Sequence, residues 1–199
     1  LLSMGDVPHA LSNPGIREGR NLLGLFSPSY ARIFWEGSYH PIATLLYAVN
    51  HALFGLDPRG FRILQIVLLW IISILIGING RRQLGAWAWL AAILYALHPS
   101  LQPSLMLAVR DQLVALFCLL AWGAHRRSAD GGYPVKGTIG LSLLFALALL
   151  SKETAAVLPL LLLGTDFSLG LIPKDRARLR RWSAVYIALG SVLLLYLGL

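Results

Sequence analysis

The chain has 199 residues, of which 57% are hydrophobic and 13% are charged, and its mean hydropathy is +0.68. A soluble domain of this length carries about twice that charged fraction, so the composition excludes a water-soluble domain and predicts an integral membrane protein. The net charge of +8 does not indicate a nucleic-acid partner, because the basic residues lie in short segments beside apolar blocks and do not alternate with aromatic residues.

Residues 1–41 are predicted to form a polar loop on the outer face of the membrane, with short surface helices. The segment contains Asp6, Arg17, Glu18 and other polar residues, and its four prolines break regular structure. The chain starts without an initiator Met and ends inside an apolar block. From this we expect a fragment of a longer protein.

Residues 42–60 are predicted to form an interfacial or re-entrant helix and a turn. The apolar run 42–54 ends at Gly55, Asp57 and Pro58. It is shorter than the roughly 20 residues that a transmembrane helix needs.

Residues 61–199 are predicted to form the transmembrane helix bundle. Long apolar blocks predict about six spans, near residues 61–79, 85–97, 109–123, 137–150, 155–165 and 183–199. The predicted fold class is therefore all-α, a polytopic membrane helix bundle with about six spans plus the interfacial helix. Cys118 lies inside one block without a CxxC partner, so we interpret it as a small buried hydrophobe.

The basic segments predict the topology. They are Arg81-Arg82, a loop at 125–136 that starts with His125, and a loop at 174–181. If residues 42–54 do not cross the membrane, all three segments lie on the inner side, as the positive-inside rule requires. The remaining polar residues then collect on the outer side, which we interpret as the working face.

Candidate site residues on that outer face are His98, Arg110, Asp111, Lys152 and Glu153. Lys152 and Glu153 interrupt an apolar stretch, where charges tend to be functional. In the alternative interpretation Lys152 extends to the interface and Glu153 caps the next helix. Arg110-Asp111 is either a capping ion pair or a phosphate-binding Arg held by a carboxylate.

Motifs of soluble enzymes are absent from the sequence, including HExxH, Walker and nucleophile-elbow patterns. No metal site is predicted and no cofactor is required. Loop carboxylates are compatible with a divalent cation, although no ligand spacing demands one.

A set of short motifs follows in a fixed order along the chain. They are Asp6, Asn13-Pro14, Tyr39-His40-Pro41, Asn50, Phe54-Gly55-Leu56-Asp57-Pro58, Phe61, Ala96-Leu97-His98-Pro99, Arg110, Leu150-Ser151-Lys152-Glu153, Leu158-Pro159 and Asp166. In this order the motifs resemble the GT-C glycosyltransferases, nearest to the protein O-mannosyltransferase-like group that often carries tetratricopeptide repeats. The resemblance covers roughly residues 5–167 and is most specific between Ser151 and Asp166.

The resemblance implies an enzyme that transfers a sugar from a polyprenyl-phosphate donor to a hydroxyl of a protein or glycan acceptor on the outer or lumenal face. Asp6 is then the base that takes the proton of the acceptor hydroxyl. Arg110 and Lys152 hold the lipid phosphate, with Glu153 orienting Lys152. The other substrate-contact residues are His40, His98 and Asp111. The expected location is a bacterial inner membrane with a periplasmic active face.

The sequence departs from the family pattern at Gly5, where the first residue of an acidic pair is usual, and near Pro103, where the family has a Glu. A second interpretation therefore stays open, a non-catalytic membrane subunit on a degenerate scaffold within a larger complex. A transporter is disfavoured, because the charges lie at the ends of the apolar blocks and no internal repeat is present.

Overall fold

The computed structural model describes residues 26, 39–55, 57–98 and 109–198. From residue 39 onward the regular elements of these ranges are all helical. They are α1 (Pro41–Phe54), α2 (Pro58–Leu84), α3 (Trp87–Ala96), α4 (Val109–Asp130), α5 (Val135–Leu149), a 3-10 helix (Glu153–Val157), α6 (Leu158–Ser168) and α7 (Arg176–Leu197). The all-α prediction is confirmed for the described part of the chain. Most of the predicted outer loop lies outside it.

The chain divides into two compact units. Unit 1 contains the described residues up to Leu116 together with Leu150–Lys152, and unit 2 contains Phe117–Leu149 and Glu153–Leu199. The first part of α4 belongs to unit 1 and the rest to unit 2.

Helix α2 is the one described helix that is long and apolar enough to cross a membrane. Its segment Arg59–Leu84 has 26 residues, and an 18-residue window within it has a mean hydropathy of 2.4. It contains the first predicted span and extends beyond it at both ends. Helices α1, α3 and α5 are apolar but shorter, with 10–17 residues, so the six-span arrangement stays a prediction.

In unit 1, α1 is fixed to α2 through buried polar contacts. The Asn50 side chain donates a hydrogen bond to the Gly60 carbonyl at 3.0 Å. Asp57 caps α2, because its carboxylate accepts from the Arg59 amide at 2.9 Å. A Cβ at Gly60 would lie 2.5 Å from the Phe54 side chain, so glycine is required for this close packing.

Helices α2 and α3 form a hairpin that also depends on small residues. Gly85, with a φ of 57°, ends α2. Gly77 faces the ring of Trp89, and Gly80 faces Ala88. Small side chains let apolar helices approach closely in the absence of a hydrophobic driving force within lipid.

In unit 2, α5 packs against α7 around a buried aliphatic and aromatic core, with Leu141, Phe145 and Leu189 at most 1% exposed. Gly132 and Tyr133 both have positive φ in the turn between α4 and α5. The Tyr133 amide donates to the Ser128 carbonyl at 2.7 Å, which closes the end of α4.

Two segments that the sequence predicts as basic loops are helical instead. His125, Arg126 and Arg127 belong to α4, and the residues from Arg176 to Arg181 form the first turns of α7. Arginine is a good helix former, and the Asp175 carboxylate caps α7 by accepting from the Arg178 amide at 3.0 Å. The loop prediction was therefore wrong for these residues.

The close packing at Gly77 predicts that alanine at this position destabilises the chain, although alanine usually stabilises a helix relative to glycine. A Cβ there would lie 2.5 Å from the Trp89 ring, whereas nothing lies within 4 Å of a Cβ at Gly190 in α7. Gly77→Ala should lower the free energy of unfolding by about 1 kcal/mol through overpacking. Gly190→Ala should raise it by roughly 0.5 kcal/mol, because alanine favours a helix. Denaturant unfolding in detergent micelles measures both, and equal effects would contradict the α2–α3 packing.

Candidate functional site

Unit 1 brings together three of the stretches that the sequence singles out. The amide of Ile42, in the first turn of α1, donates to the Leu150 carbonyl at 3.2 Å. This bond holds the Tyr39-His40-Pro41 stretch next to the segment that leads to Ser151 and Lys152. Lys152 in turn reaches the N-terminal turn of α4, where Arg110 and Asp111 lie.

The central contact is an ion pair between Lys152 and Asp111. The Lys152 Nζ donates to the Asp111 Oδ1 at 2.6 Å. The Lys152 side chain is 28% exposed and the Asp111 side chain 54% exposed. Because both groups are wetted, the pair contributes at most about 1 kcal/mol to stability, and an incoming anion can compete with Asp111 for the ammonium group.

The backbone that carries this pair is fixed by buried neighbours. Ser151 is fully buried beside Lys152. The Gln112 side chain, one residue after Asp111, donates to the Gln65 carbonyl of α2 at 3.4 Å. The charged groups are therefore exposed while the chain that positions them is packed, an arrangement that suits a binding site.

His40 precedes α1 and is only 2% exposed. Its carbonyl accepts from the Thr44 amide and hydroxyl, both at 3.1 Å. The hydroxyl of Tyr39 donates to the Phe26 carbonyl at 2.5 Å. His40 is therefore a packed residue at the edge of the cluster, and its predicted contact with substrate stays a prediction.

The other predicted site residues fall in different places. Arg110 is half-buried in the same turn as Asp111. His98 is exposed one residue beyond the last turn of α3. Glu153 is exposed at the start of the 3-10 helix, where a carboxylate stabilises the helix N-terminus, and it belongs to unit 2. Asp6 lies outside the described residues.

Sequence reasoning did not identify Asp111 as the partner of Lys152. The expectation was that Glu153 orients Lys152, since the two are adjacent. The carboxylate that the structure places on Lys152 comes from a residue 41 positions earlier. Only the packing of α4 in unit 1 brings the two together.

Sequence reasoning also missed a buried polar cluster in unit 2, which we call the Asp166 cluster. Both Asp166 and His125 are fully buried, and His125 Nε2 lies 2.8 Å from Asp166 Oδ1. The other carboxylate oxygen accepts from the Trp182 indole and from the Tyr186 hydroxyl, each at 2.7 Å. One side chain thus connects α4, α6 and α7.

The Asp166 carboxylate and the His125 ring are sealed from solvent, so their role is to hold helices together. Tyr133 packs near His125, with ring centroids 5.9 Å apart, and burial raises the pKa of its phenol so that the group stays neutral. A signal for this cluster was present in the sequence, because Asp166 interrupts an apolar block. Intramembrane carboxylates are costly unless they are paired. The sequence did not indicate His125 as the partner of Asp166, because His125 precedes Arg126 and Arg127 and resembles part of a basic segment.

Metal ligation is not evident within the described ranges, where no three His, Cys, Asp or Glu residues come close enough to hold an ion. The arrangement in unit 1 instead offers the partly exposed ammonium group of Lys152 to an anionic group, and Arg110 lies in the same turn of α4 as Asp111.

Comparisons with known proteins agree with the motif pattern. The family model for dolichyl-phosphate-mannose-protein mannosyltransferase matches residues 39–198. The chain is also 27% identical to the protein O-mannosyl-transferase TMTC1 of Homo sapiens over 138 residues, and 27% identical to that of Mus musculus over 141 residues.

Each alignment covers 64% of this chain but only 16% of the human protein and 15% of the mouse protein. The chain therefore matches about a sixth of the length of these curated relatives. No solved structure matches the chain.

Neutralising Asp166 should lower the stability of unit 2, because its carboxylate accepts from side chains of two other helices. In Asp166→Asn the amide nitrogen faces a donor, so His125, or the Trp182 and Tyr186 pair, loses its acceptor. Leaving a buried donor without its acceptor costs about 1–3 kcal/mol, and we expect the free energy of unfolding to fall by that amount. The matched control is Asp130→Asn at the exposed end of α4, with an expected change below about 0.5 kcal/mol. Thermal unfolding in micelles compares them, and equal midpoints would refute the bracing role.

Proposed function

The chain belongs to the dolichyl-phosphate-mannose-protein mannosyltransferase family, and we propose that it is a membrane glycosyltransferase that moves a sugar from a polyprenyl-phosphate donor to a hydroxyl acceptor at the outer membrane face. The observation that carries the proposal is the family match, which includes the segments of unit 1 that hold Lys152 and Asp111. This match confirms the resemblance to protein O-mannosyltransferase-like proteins that the sequence motifs indicate.

The ion pair of unit 1 supports a role in holding the donor phosphate. As the bond between the sugar and the phosphate oxygen breaks, negative charge grows on the lipid phosphate. Cations placed at that oxygen lower the barrier, because they stabilise the charge as it develops. Lys152 supplies a partly exposed ammonium group, with Asp111 as its counterion until the phosphate arrives. Arg110 is the second proposed cation.

The acceptor side of the reaction needs a base. The new bond joins the acceptor oxygen to the sugar, and the hydroxyl proton must leave at the same time. We assign the proton to the carboxylate of Asp6, which carries the family's acidic position in the first loop. Contacts of His40, His98 and Glu153 with donor or acceptor remain part of the proposal.

Membrane lipids and a protein or glycan acceptor are the proposed partners, with further membrane subunits in a larger complex. The proposed setting is a bacterial inner membrane with a periplasmic active face. The reaction as proposed requires no cofactor, and a divalent cation at the loop carboxylates is compatible with it.

A second candidate function is a non-catalytic membrane subunit, and Gly5 favours it. The residue replaces the first member of the family's acidic pair, so a chain that needs both carboxylates would have lost its chemistry while keeping the scaffold.

The deciding experiment is sugar transfer from a polyprenyl-phosphate mannose donor in membranes that contain the chain. Asp6→Asn keeps the size of the side chain but cannot take a proton, and we expect transfer to fall at least about 100-fold. Asp130→Asn is the control and should keep full activity. Transfer that survives Asp6→Asn would remove Asp6 as the base. An intact chain that shows no turnover where an active relative works would favour the non-catalytic subunit.

Lys152 and Asp111 should respond differently to neutralisation. Lys152→Gln removes the cation and should lower kcat/KM for the donor by about 100-fold. Asp111→Asn leaves the cation in place and should change it less than about tenfold, because a wetted ion pair is weak. Both variants should lower the free energy of unfolding by no more than about 1 kcal/mol, and by the same amount, because each removes the same ion pair. A larger loss for Asp111→Asn than for Lys152→Gln would contradict phosphate binding by Lys152.

A further inference from the structure

A surface of unit 2 carries most of the net positive charge of the chain. We call it the basic end, and it comprises residues 126–136 and 174–181. These stretches contain eight Lys or Arg residues and two Asp residues, an excess of six out of the chain's net charge of +8. Its basic residues are Arg126, Arg127, Lys136, Lys174, Arg176, Arg178, Arg180 and Arg181.

The two stretches meet in space. The Arg178 Nε lies 3.8 Å from the Cβ position of Gly132, in the turn between α4 and α5. The end of α4, the start of α5 and the start of α7 therefore lie side by side. Seven of the eight basic side chains are exposed there, and Arg126 is half-buried.

The three helices change from charged to apolar at this same end. In α7 no charged residue follows Arg181, and in α5 none follows Lys136. In α4 no charged residue lies between Asp111 and His125. Trp182 and Tyr186 are half-buried and follow Arg181 in α7, and Trp and Tyr are the residues that favour the boundary between lipid headgroups and acyl chains.

The two Asp residues offset only part of the charge of this surface, because eight Lys or Arg residues stand against two carboxylates. One of these carboxylates, Asp175, caps α7 by accepting from the Arg178 amide. The Asp166 carboxylate, which could have offset the charge, is buried and saturated by three donors. The exposed guanidinium and ammonium groups therefore present their charge outward.

We propose that the basic end of unit 2 is a docking surface for the phosphate headgroups of anionic phospholipids in one leaflet of the membrane. The charge is complementary to such a leaflet, and the arginines can form paired hydrogen bonds with phosphate oxygens. The aromatic layer and the apolar helices then continue into the acyl region. The surface is independent of the donor site in unit 1, so this docking does not rest on glycosyl transfer.

The test reconstitutes the full chain in phosphatidylcholine vesicles with and without about a quarter phosphatidylglycerol. The measurements are the unfolding midpoint and the ratio of association constants for the two lipids from native mass spectrometry. Lys136→Gln/Arg178→Gln removes one charge from each stretch. Each Lys or Arg near an anionic leaflet changes binding about fivefold, so we expect the preference for phosphatidylglycerol to fall roughly 30-fold.

The matched control is Arg59→Gln/Arg62→Gln, which removes two exposed charges at the start of α2. It should keep the lipid preference, and both variants should unfold at the wild-type midpoint in pure phosphatidylcholine. Equal losses in the two variants would overturn the proposal, since the effect would then be one of net charge. So would a rise in the midpoint with inorganic phosphate at matched ionic strength, which would indicate a free-anion site. Tighter binding of a polyglutamate peptide than of the anionic vesicles would overturn it in favour of a protein partner.

Discussion

The carboxylate of Asp166 is the interaction on which the packing of unit 2 depends. A carboxylate removed from water must accept hydrogen bonds at its oxygens, because an isolated charge in a medium of low dielectric is very costly. His125, Trp182 and Tyr186 donate these hydrogen bonds, with donor–oxygen distances of 2.7–2.8 Å. Those three donors come from α4 and α7, so satisfying one group fixes the positions of two helices against α6. Apolar helices slide against one another with little penalty, and a directional contact of this kind selects a single arrangement.

Two side-chain pairs among the described residues illustrate how burial separates a structural contact from a candidate binding site. His125 and Asp166 are fully buried and cannot exchange partners with a ligand. Lys152 and Asp111 are partly exposed, and the free energy that joins them is small. A weak, wetted pair on a packed backbone is suited to receive an anion, because its cation is oriented in advance and is released at little cost. Burial therefore suits the His125–Asp166 pair to holding helices together, and partial exposure suits the Lys152–Asp111 pair to the proposed phosphate binding.

Glycine positions complement these polar contacts. At Gly60 and Gly77 the neighbouring aromatic side chains occupy the space that a Cβ would need. Close approach of this kind increases dispersion contacts between helices, which matters in lipid, where burial of apolar surface gives no advantage over contact with acyl chains. Unit 1 thus combines close helix contacts with a few directional bonds, such as that between Asn50 and Gly60.

The sequence by itself determined the helical class, the position of the long apolar helix α2 and the family, because hydrophobic blocks, proline breaks and ordered motifs are local properties of the chain. It also identified Lys152 and Asp111 as separate candidates. Only the tertiary structure paired them across 41 residues, joined His125 to Asp166, and turned the predicted basic loops at 125–127 and 176–181 into helix ends. The physical reason is that a polar side chain is satisfied by whichever partner packing brings within about 3 Å, and no local pattern records that partner.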